Sequence, residues 1–570
     1  MKRTLSLSLF VFVTLLAALA MAQVPLVNQL RPASIAPGHS AFTLTVIGGN
    51  FVSGATVNWN GSPRTTTFVS ANKVTAAITA TDVAHIGTAL ITVTNPGPSA
   101  ASNFEYFPIH TKFAAGAFAR HDTVLASGFV PQTLPIVGDF NGDGKLDVAD
   151  MSGSMIEVFL GNGDGTFQSP VSSPSSLIGA GLVAVGDFNN DGKLDLIAQD
   201  IYGDDYSYLG NGDGTFSEVS TMWGSWPGGV VVADLNRDGY FDVVVEGAEE
   251  GGAGTQAELG NGAGVFTLKW NSTTVYNQTT GYCAVADFNH DGKLDIACPG
   301  NPSLFGQGIE VAFGNGDGTF GTATSYPTPA VGFTVLTGDV NGDSKLDLVT
   351  DGGWVLLGNG DGTFNTPSSA ATTGMYYPQL VDINADGKLD LVGSAYDFGT
   401  LRGINSTVVA LGNGDGTFQT PVAQEISWGN GAVAWGDFNG DGKLDGVTFA
   451  PDLITGKPIL SVLLQTNLAV SQTLISYGLV KVGTSSTTQV SVVSNIGASP
   501  LTISSVGFTS PAPSFTLVNG CGATLPPGNS CTLGITFTPQ KTGALSAKVK
   551  ISYSGTVGNP QYIELAGTGN

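Results

Sequence analysis

The sequence predicts an all-β protein whose central part is a ring of repeated four-stranded units. An acidic nine-residue segment occurs seven times, with copies 43 to 55 residues apart, the first starting at Asp139 and the last ending at Asp445. A glycine-rich turn motif, first seen as Gly161–Phe167, lies between successive copies. After the N-terminal segment we find no convincing 3.6-residue apolar period of the kind that predicts helices. A four-stranded repeat of about fifty residues is typical of a β-propeller blade. We therefore predict seven blades.

Short apolar segments flank each acidic copy. In the second copy, Leu182–Val185 precedes the acidic residues and Leu194–Ile197 follows them. The Asn-Gly and Asp-Gly steps of the turn motif supply the positive φ angles that tight hairpins need. Each repeat is therefore interpreted as four short antiparallel strands.

The two ends of the repeat array complement each other. The last copy ends in the apolar run Pro458–Leu464 with no turn motif after it, whereas an additional strand, Ala115–Phe118, precedes the first copy. Phe118 precedes the first acidic copy by 21 residues, close to the 20-residue spacing between Phe167 and the second copy. We expect this strand to complete the last blade, which removes an exposed sheet edge. The propeller is placed at residues 109–466.

Residues 1–22 have the features of a secretory signal peptide. A basic start, Met1–Arg3, precedes an apolar run from Leu5 to Ala20, and the segment ends in Ala-Met-Ala. The run is short for a membrane span, so an uncleaved anchor is the less favoured alternative. We expect a secreted protein, extracellular or at the cell surface, with no membrane span in the mature chain.

The acidic segments have the composition of calcium loops. Side-chain oxygens occupy positions 1, 3, 5 and 9, position 7 offers a backbone carbonyl, and the glycine at position 6 permits a sharp turn; Ca²⁺ accepts six to eight such oxygens at irregular geometry. About seven Ca²⁺ sites are predicted. The predicted ligands at positions 1, 3, 5, 7 and 9 are, copy by copy, Asp139, Asn141, Asp143, Lys145, Asp147; Asp187, Asn189, Asp191, Lys193, Asp195; Asp234, Asn236, Asp238, Tyr240, Asp242; Asp287, Asn289, Asp291, Lys293, Asp295; Asp339, Asn341, Asp343, Lys345, Asp347; Asp382, Asn384, Asp386, Lys388, Asp390; Asp437, Asn439, Asp441, Lys443, Asp445.

Repetition in phase distinguishes these loops from single solvated hairpin turns, which one copy alone also fits. They differ from EF-hands because position 12 is mostly not acidic, so the Asp at position 9 must close the site. Mg²⁺ suits them less, since it prefers a rigid octahedron with several waters. The third copy, with Arg237, and the fifth, with Ser344 at position 6, depart most from the pattern. The turn motifs faintly resemble RTX nonapeptides, but each offers one carboxylate, so plain hairpin turns are favoured.

Four cysteines, an even number, suit an oxidising compartment. Cys521 and Cys531 are ten positions apart across a Pro-Pro-Gly turn, and Cys283 and Cys298 flank the fourth acidic loop. We predict two local disulfides, Cys521–Cys531 and Cys283–Cys298. Buried free thiols are the alternative for Cys283 and Cys298.

The acidic loop, the apolar strand after it and the Gly-Asn-Gly-Asp-Gly-Thr-Phe turn together resemble the FG-GAP/VCBS repeat family, which is related to the propeller of integrin α chains. The resemblance covers about 355 residues. It implies a seven-bladed propeller that binds calcium through positions 1, 3, 5, 7 and 9 of hairpin loops on one face. The recognition residues of integrins have no identifiable counterpart in this chain.

The flanking regions also resemble known modules. Residues 23–108 resemble an IPT/TIG immunoglobulin-like domain, through Val27–Gly38, Leu44–Phe51 and Ile91–Asn95. Residues 467–570 resemble ASH-type immunoglobulin-like domains of secreted bacterial proteins, through Val482–Thr484, Ser494–Gly497, Pro500–Ser504, Cys521, Cys531, Ile535–Pro539 and Leu565–Gly569. Their short strands and turns fit β-sandwiches. The predicted architecture is thus a seven-bladed propeller flanked by two immunoglobulin-like β-sandwiches.

Charge is scarce but one-signed. The chain has 45 acidic and 21 basic side chains, a formal net charge of −24. This excess argues against nucleic-acid and anionic-membrane partners, which require clustered Lys and Arg. The seven loops hold 21 of the acidic residues with seven basic ones, a net −14 that seven Ca²⁺ would neutralise.

Binding is favoured over catalysis. The sequence has five histidines and no nucleophile elbow, zinc-spaced histidine cluster or phosphate loop, and metal ligation explains the paired carboxylates better than acid/base chemistry does. We predict a non-catalytic recognition or adhesion module for an extracellular protein partner. A lectin that binds extracellular glycans is the alternative, and a polysaccharide lyase or hydrolase is a second alternative. The oligomeric state is left open.

Candidate ligand-contacting aromatics lie before the acidic strands: Trp223, Trp226, Tyr376, Tyr377 and Trp428. Packing between blades explains these aromatics equally well.

Overall fold

The fold is all-β. The computed structural model describes residues 23–114, 117–125, 135–177, 181–200, 205–222, 229–249, 252–272, 282–300, 308–329, 334–369, 375–397, 404–428, 432–451, 457–554 and 559–570. These residues form 45 strands and no helix, so they contain no helical segment able to cross a membrane. The predicted signal peptide, residues 1–22, lies outside the described residues.

The N-terminal region is a sandwich of two four-stranded sheets. In sheet order, the first consists of Leu26–Arg31, Phe42–Gly49, Lys73–Ile78 and Thr66–Ser70, and the second of Ser62–Pro63, Thr56–Trp59, Gly87–Thr94 and Glu105–Ile109. Alternate residues of the strands point inward. Leu44 and Val46 from one sheet meet Ile91 and Phe107 from the other in a single apolar core.

Seven four-stranded sheets follow, here called blades 1 to 7. In sheet order they are Ile136–Gly138, Asp147–Ser152, Met155–Phe159, Val171–Pro174; Gly181–Gly186, Asp195–Gln199, Asp205–Gly210, Phe216–Met222; Val230–Ala233, Asp242–Glu249, Gly252–Gly260, Phe266–Ser272; Ala284–Ala286, Asp295–Pro299, Gly308–Ala312, Thr324–Pro327; Val335–Gly338, Asp347–Thr350, Trp354–Leu356, Ser368–Ser369; Tyr376–Val381, Asp390–Asp397, Ile404–Ala410, Val422–Trp428; Ala434–Gly436, Asp445–Pro451, Pro458–Gln465, Phe118–Val124. Neighbouring strands in each blade are antiparallel.

The blades close into a ring. The first strands of consecutive blades contact one another from blade 1 to blade 6, and the first strand of blade 7 contacts that of blade 1. Blades 6 and 7 share an apolar cluster around Trp435 and Val392. The outer strand of blade 7 is Phe118–Val124, which pairs antiparallel with Pro458–Gln465. The strand expected to complete the last blade therefore does so, beginning at Phe118, the last residue of the segment that the sequence indicated.

The C-terminal region is a second sandwich. In sheet order, one sheet consists of Leu468–Val470, Gln489–Asn495, Ser530–Phe537 and Phe515–Asn519, and the other of Leu474–Val480, Gln561–Gly569, Gly543–Tyr553, Leu501–Phe508 and Thr524–Leu525. The sandwich contacts the outer strand of blade 7, where Arg120 forms an ion pair with Glu564 at 2.8 Å. Both partners are largely buried, which fixes this sandwich against the edge of the ring.

Both predicted disulfides are formed. Cys283 is bonded to Cys298 and Cys521 to Cys531, and the chain has no free cysteine. Buried free thiols, the alternative for the first pair, are therefore excluded. The Cys283–Cys298 bond joins the residue before the first strand of blade 4 to the second strand of that blade, and so encloses the fourth acidic loop.

Candidate metal centres

The seven acidic segments, here called loops 1 to 7, lie on one face of the ring. Each loop connects the first strand of its blade to the second. Successive strands of a blade run in opposite directions, so these loops share a face with the turns between the third and fourth strands. The connections from second to third strand, and from one blade to the next, lie on the opposite face. We call these the loop face and the open face.

The side-chain oxygens of a loop point toward its own backbone, as loop 2 illustrates. Asp187 accepts hydrogen bonds from the amides of Asp191 (3.0 Å) and Gly192 (2.9 Å). Asn189 Oδ1 also accepts from the Asp191 amide (2.9 Å), and Asp191 Oδ1 accepts from the Lys193 amide (3.0 Å). A left-handed backbone at Gly192, with φ of 82°, allows this tight turn. The oxygens at positions 1, 3 and 5 are thus gathered within one nine-residue loop.

The Asp at position 9 braces the blade. In loop 2, Asp195 is fully buried; its Oδ2 accepts from the Phe188 amide (2.8 Å) and its Oδ1 from the Gly210 amide (2.8 Å). Position 9 therefore ties the acidic loop to the turn between the third and fourth strands. The donors equivalent to Gly210 are Gly161, Gly260, Gly314, Gly358, Gly412 and Gln465.

Sequence reasoning assigned position 9 only to the metal and missed this bracing role. A signal was present in the sequence, because the turn motif begins with glycine in each of blades 1 to 6. A Cβ atom at Gly161 would lie 2.1 Å from the Leu146 carbonyl oxygen, a distance that excludes any side chain. Glycine is thus required where the turn passes over the loop.

Burial makes the position 9 carboxylates costly to ionise without a cation. Burial, with neighbouring carboxylates adding to it, raises the pKa of Asp147 to about 6, that of Asp195 to about 7 and that of Asp242 to about 8. Burial likewise raises the pKa of Asp390 to about 8 and that of Asp445 well above its usual value. A nearby cation would offset the cost of ionising these groups.

Loop 7 brings three carboxylates together. Oxygens of Asp437, Asp441 and Asp445 lie within 4.8 Å of one another, and among the residues described this is the one cluster of three potential ligand side chains so close. Burial raises the pKa of Asp441 to about 6, with Asp437 adding to the shift and Lys443 opposing it. The other loops have similar internal hydrogen bonds, with single bonds missing in loops 4 and 6, and among the described residues their carboxylates are not gathered this closely.

Several predicted ligands have oxygens with no hydrogen-bond partner. Asp287 Oδ1 in loop 4, Asn384 Oδ1 in loop 6 and Asp441 Oδ2 in loop 7 are buried and unpaired. Asp287 and Asn384 are 2% and 1% exposed. A buried oxygen without a donor is costly. The unpaired oxygens and the all-oxygen donor set fit a hard cation such as Ca²⁺.

At position 7 the lysine side chains lie near position 5. The ammonium groups of Lys145, Lys193, Lys293 and Lys345 are 3.2 to 3.6 Å from the position 5 carboxylates. These pairs lie at the surface, where exposed ion pairs contribute little stability. The lysine side chains are thus engaged with position 5, and the role of the position 7 carbonyl as a metal ligand stays a prediction.

The N-terminal sandwich packs on the loop face, an arrangement that the sequence did not indicate. The Val24 amide donates to Asp234 Oδ2 in loop 3 (2.8 Å), and the Ser34 hydroxyl donates to Asp382 Oδ2 in loop 6 (2.6 Å). Asn28 donates to the Val285 carbonyl beside loop 4 (3.0 Å). As a result the position 1 carboxylates of loops 3 to 6 are buried, whereas those of loops 1, 2 and 7 are only partly buried.

Of the candidate ligand-contacting aromatics, Tyr377 has a described side chain, and it lies at the open-face end of the first strand of blade 6. Trp223 and Trp226 lie outside the described residues, as do the side chains of Tyr376 and Trp428. Tyr377 is described: its side chain is 40% exposed and its backbone is left-handed, with φ of 50°. At least one aromatic side chain of the predicted set is therefore presented to solvent.

Two family models match parts of the chain. The FG-GAP-like repeat model matches residues 139–198 and 187–245, which include loops 1 to 3. The model of the HYDIN/CFA65/VesB-like Ig-like domain matches residues 466–568, the C-terminal sandwich. The repeat character and the Ig-like C-terminal region expected from the sequence are thus found.

Solved structures with similar folds are distant. A lectin from Agrocybe aegerita, described as recognising non-reducing terminal N-acetylglucosamine, is 21% identical with a TM-score of 0.37, over 54% of this chain and 90% of the lectin. An auxiliary nutrient binding protein from Bacteroides ovatus is 12% identical with a TM-score of 0.32, over 78% of this chain and 98% of that protein. The ASH/PapD-like domain 7 of human CEP192 is 13% identical with a TM-score of 0.17, over 18% and 86%. No curated protein matches the chain. We transfer no function from these likenesses.

Proposed function

We propose that this protein is an extracellular, calcium-stabilised β-propeller that acts as a non-catalytic recognition module for a protein partner. The observation that supports the proposal most is the sevenfold loop pattern, in which side-chain oxygens at positions 1, 3 and 5 lie in one short loop with a buried carboxylate at position 9. In loop 7 three carboxylates lie within 4.8 Å of one another. The two disulfides suit an oxidising compartment.

Calcium fits the loops better than magnesium. The side chains at positions 1, 3, 5 and 9 and the carbonyl at position 7 would hold the ion, and a loop of nine residues adapts to the irregular oxygen shell of Ca²⁺. The bound ion supplies positive charge to carboxylates that burial otherwise protonates. Its role is therefore structural, since it fixes the loop against the blade.

Recognition is assigned to the open face. The loop face is covered by the N-terminal sandwich over loops 3 to 6, with Val24, Asn28 and Ser34 in direct contact with it. The open face carries the blade-to-blade connections and the exposed side chain of Tyr377. Exposed aromatics of this kind anchor protein partners and also stack on sugars.

From the motifs that carry the sequence resemblance, we also propose that the propeller is integrin α-like and that the N-terminal sandwich is of the IPT/TIG type.

The absence of catalysis is part of the proposal. The paired carboxylates of each loop are held by backbone amides and by the bracing role of position 9. This arrangement suits ligation and structural support, whereas a general acid or base must face substrate.

Two experiments test the proposal. Equilibrium dialysis of the mature protein against calcium, followed by elemental analysis, should find several tightly bound ions per chain, and a metal-free result would overturn the calcium assignment. Protein and glycan arrays, each probed in calcium and in chelator, should give calcium-dependent protein hits. Strong, selective glycan hits would instead support the lectin alternative, which the exposed Tyr377 favours.

Two aromatic-to-alanine variants, one on the open face and one on the N-terminal sandwich, test where the partner binds. Tyr377→Ala should reduce array binding while leaving the metal content unchanged, because Tyr377 lies away from the loops. Phe68→Ala, at an exposed aromatic of the N-terminal sandwich, should leave array binding unchanged.

A further inference from the structure

Loop 5 already contains a cation, supplied by the N-terminal sandwich. The guanidinium group of Arg31 forms an ion pair with Asp339 Oδ2, the position 1 carboxylate. The Asp339 side chain is fully buried, and 26% of the Arg31 side chain is exposed. The positive charge therefore lies at the carboxylate that would otherwise contact a metal ion.

The sequence of loop 5 is adapted to this arginine. Position 6 is Ser344, whereas loops 1 to 4, 6 and 7 have glycine there. The Ser344 hydroxyl accepts a second hydrogen bond from Arg31, at 3.0 Å from Nη1. The backbone of Ser344 is left-handed, with φ of 72°, a conformation that favours glycine. The serine thus tolerates an unfavourable backbone at the position where its hydroxyl reaches Arg31.

A second residue of the same strand holds the loop in place. The Gln29 side chain accepts from the Asp339 amide (2.9 Å) and donates toward the Asp339 carbonyl (3.5 Å). Gln29 and Arg31 both belong to the strand Leu26–Arg31. The backbone and the carboxylate of position 1 are therefore both bound by one strand of the N-terminal sandwich.

The contacts that cations make with other loops differ in kind. Lys112 pairs with Asp386 in loop 6 at 2.9 Å, but its side chain is 68% exposed and it meets position 5. In the same loop, position 1 receives the uncharged Ser34 hydroxyl. A solvent-exposed lysine at the loop rim is free to move aside for an entering ion. Lys443 in loop 7 is 10% exposed, but it also meets position 5, at 3.8 Å from Asp441 Oδ2. Arg31 is mostly buried and contacts position 1.

We propose that Arg31 replaces the metal ion in loop 5, so that the protein binds calcium in the other loops and at most six ions in total. The inference rests on the proposed calcium function. A guanidinium and a divalent cation repel each other strongly when both approach one buried carboxylate. Displacement of Arg31 would also leave a largely buried charge without its partner. Loop 5 therefore joins the N-terminal sandwich to the ring through an ion pair instead of an ion.

Loop 5 differs from loops 4, 6 and 7 in how fully its predicted ligand oxygens are hydrogen-bonded. Buried oxygens without a hydrogen-bond partner remain at predicted ligand positions in loops 4, 6 and 7. In loop 5 the two Asp339 oxygens have four donors: the amides of Gly342, Asp343 and Ser344 and the Arg31 guanidinium. Loop 5 has its cation and its hydrogen bonds without a metal.

Metal counting on the full-length mature chain tests this inference. Equilibrium dialysis at saturating calcium, with elemental analysis, should give six ions for the wild type and seven for Arg31→Met. The matched control is Arg64→Met, because Arg64 pairs with Asp82 inside the N-terminal sandwich at 2.6 Å; its count should stay at six. Seven ions in the wild type would overturn the inference while supporting the calcium function. A wild type without bound ions would overturn both.

A second pair of variants keeps the test decisive if Arg31→Met does not fold. Asp343→Asn and Asp191→Asn change the same exposed position 5 in loops 5 and 2. We expect six ions for Asp343→Asn and five for Asp191→Asn. A loss of one ion in Asp343→Asn would show that loop 5 binds calcium and would overturn the inference. Six ions in Arg31→Met would show that Arg31 is not what keeps calcium out, which also overturns it.

Discussion

Loops 5 and 7 have nearly the same sequence but different electrostatic surroundings. Both are in contact with the N-terminal sandwich. In loop 5 that sandwich contributes Arg31, which pairs with the position 1 carboxylate. In loop 7 it contributes the uncharged side chain of Thr88, which lies beside Asp437, and three carboxylates lie within 4.8 Å of one another.

The difference shows that a metal motif is completed by what packs against it. The nine residues set the direction of the oxygens, but the charge at the centre depends on a strand more than 300 positions away in the chain. In loop 5 the arginine forms an interdomain ion pair with the position 1 carboxylate. In loop 7 the sandwich contributes an uncharged threonine, and the cation beside the carboxylates is the loop's own Lys443, 3.8 Å from Asp441 Oδ2.

The pH dependence of the metal-free protein has the largest expected effect, because it sums over the loops. The pKa of Asp347 is raised to about 6, that of Asp195 to about 7 and that of Asp242 to about 8, against about 3.9 in the unfolded chain. Between these values the native state binds more protons than the unfolded state, so stability falls as pH rises from about 4 to 8. Calorimetry of demetallated protein should give a higher Tm at pH 5 than at pH 8.

Calcium provides the control for that experiment. In saturating calcium the fall in Tm from pH 5 to pH 8 should shrink to the contribution of Asp347 in loop 5, because in the other loops the ion replaces the protons on the carboxylates. The same fall with and without calcium would contradict the account.

Removal of a bracing carboxylate should have the next largest effect. Asp445→Ala orphans the Gln465 amide and the Asn439 side-chain amide, and Asp347→Ala orphans the Val340 and Gly358 amides. Each variant should lose about 2 to 6 kcal/mol in urea unfolding of metal-free protein, at about 1–3 kcal/mol per orphaned group. In calcium the Asp445→Ala variant should lose more stability than it does without metal, whereas Asp347→Ala should lose the same amount in both conditions. Equal losses of the two variants in calcium would argue against the difference between loops 5 and 7. Asp164→Ala, in an exposed turn, is the control.

Replacing the position 5 Asp by Asn should change stability in opposite directions with and without calcium in loop 7, but not in loop 5. Without metal at pH 8, Asp441→Asn should stabilise the protein by about 2 kcal/mol, since it removes a carboxylate whose pKa burial raises to about 6. With calcium, the same variant should be destabilised through loss of a ligand. Asp343→Asn, in loop 5, should stay within about 0.5 kcal/mol in both conditions. Urea midpoints with and without calcium measure all four values.

The smallest effect is expected for Lys112→Ala. Its pair with Asp386 is 68% exposed on the lysine side, and exposed pairs contribute about 0–1 kcal/mol. The Tm should change by less than about 2 °C. A large loss of stability would place Lys112 in the same class as Arg31, against the distinction drawn between them.

Much of the fold follows from the sequence because the repeat is local. The spacing of the acidic segments, the Asn-Gly and Asp-Gly turns and the strand Pro458–Leu464 without a following turn motif together predict seven blades and closure by the strand at Phe118. Cys283 and Cys298 are predictable as a pair because they flank one loop. Each of these signals lies within about fifty residues.

The environment of the loops was not predictable, for a physical reason. Arg31, Ser34 and Thr88 reach the loop face only because the N-terminal sandwich packs there, and no periodic pattern marks such a contact. Ser344 was recognised as a departure from the motif, but its partner Arg31 is distant in sequence. The bracing role of Asp195 was missed because it depends on a turn in another part of the blade.

Thermal melting of the full-length mature protein at pH 7.5 and low ionic strength tests the central claim most directly, that cations in these loops hold the propeller together. An ion at about 100 times its Kd stabilises the native state by about 2.7 kcal/mol per site. Several such sites should raise the Tm in calcium by about 10 °C or more over the Tm in chelator. An unchanged Tm would contradict the account.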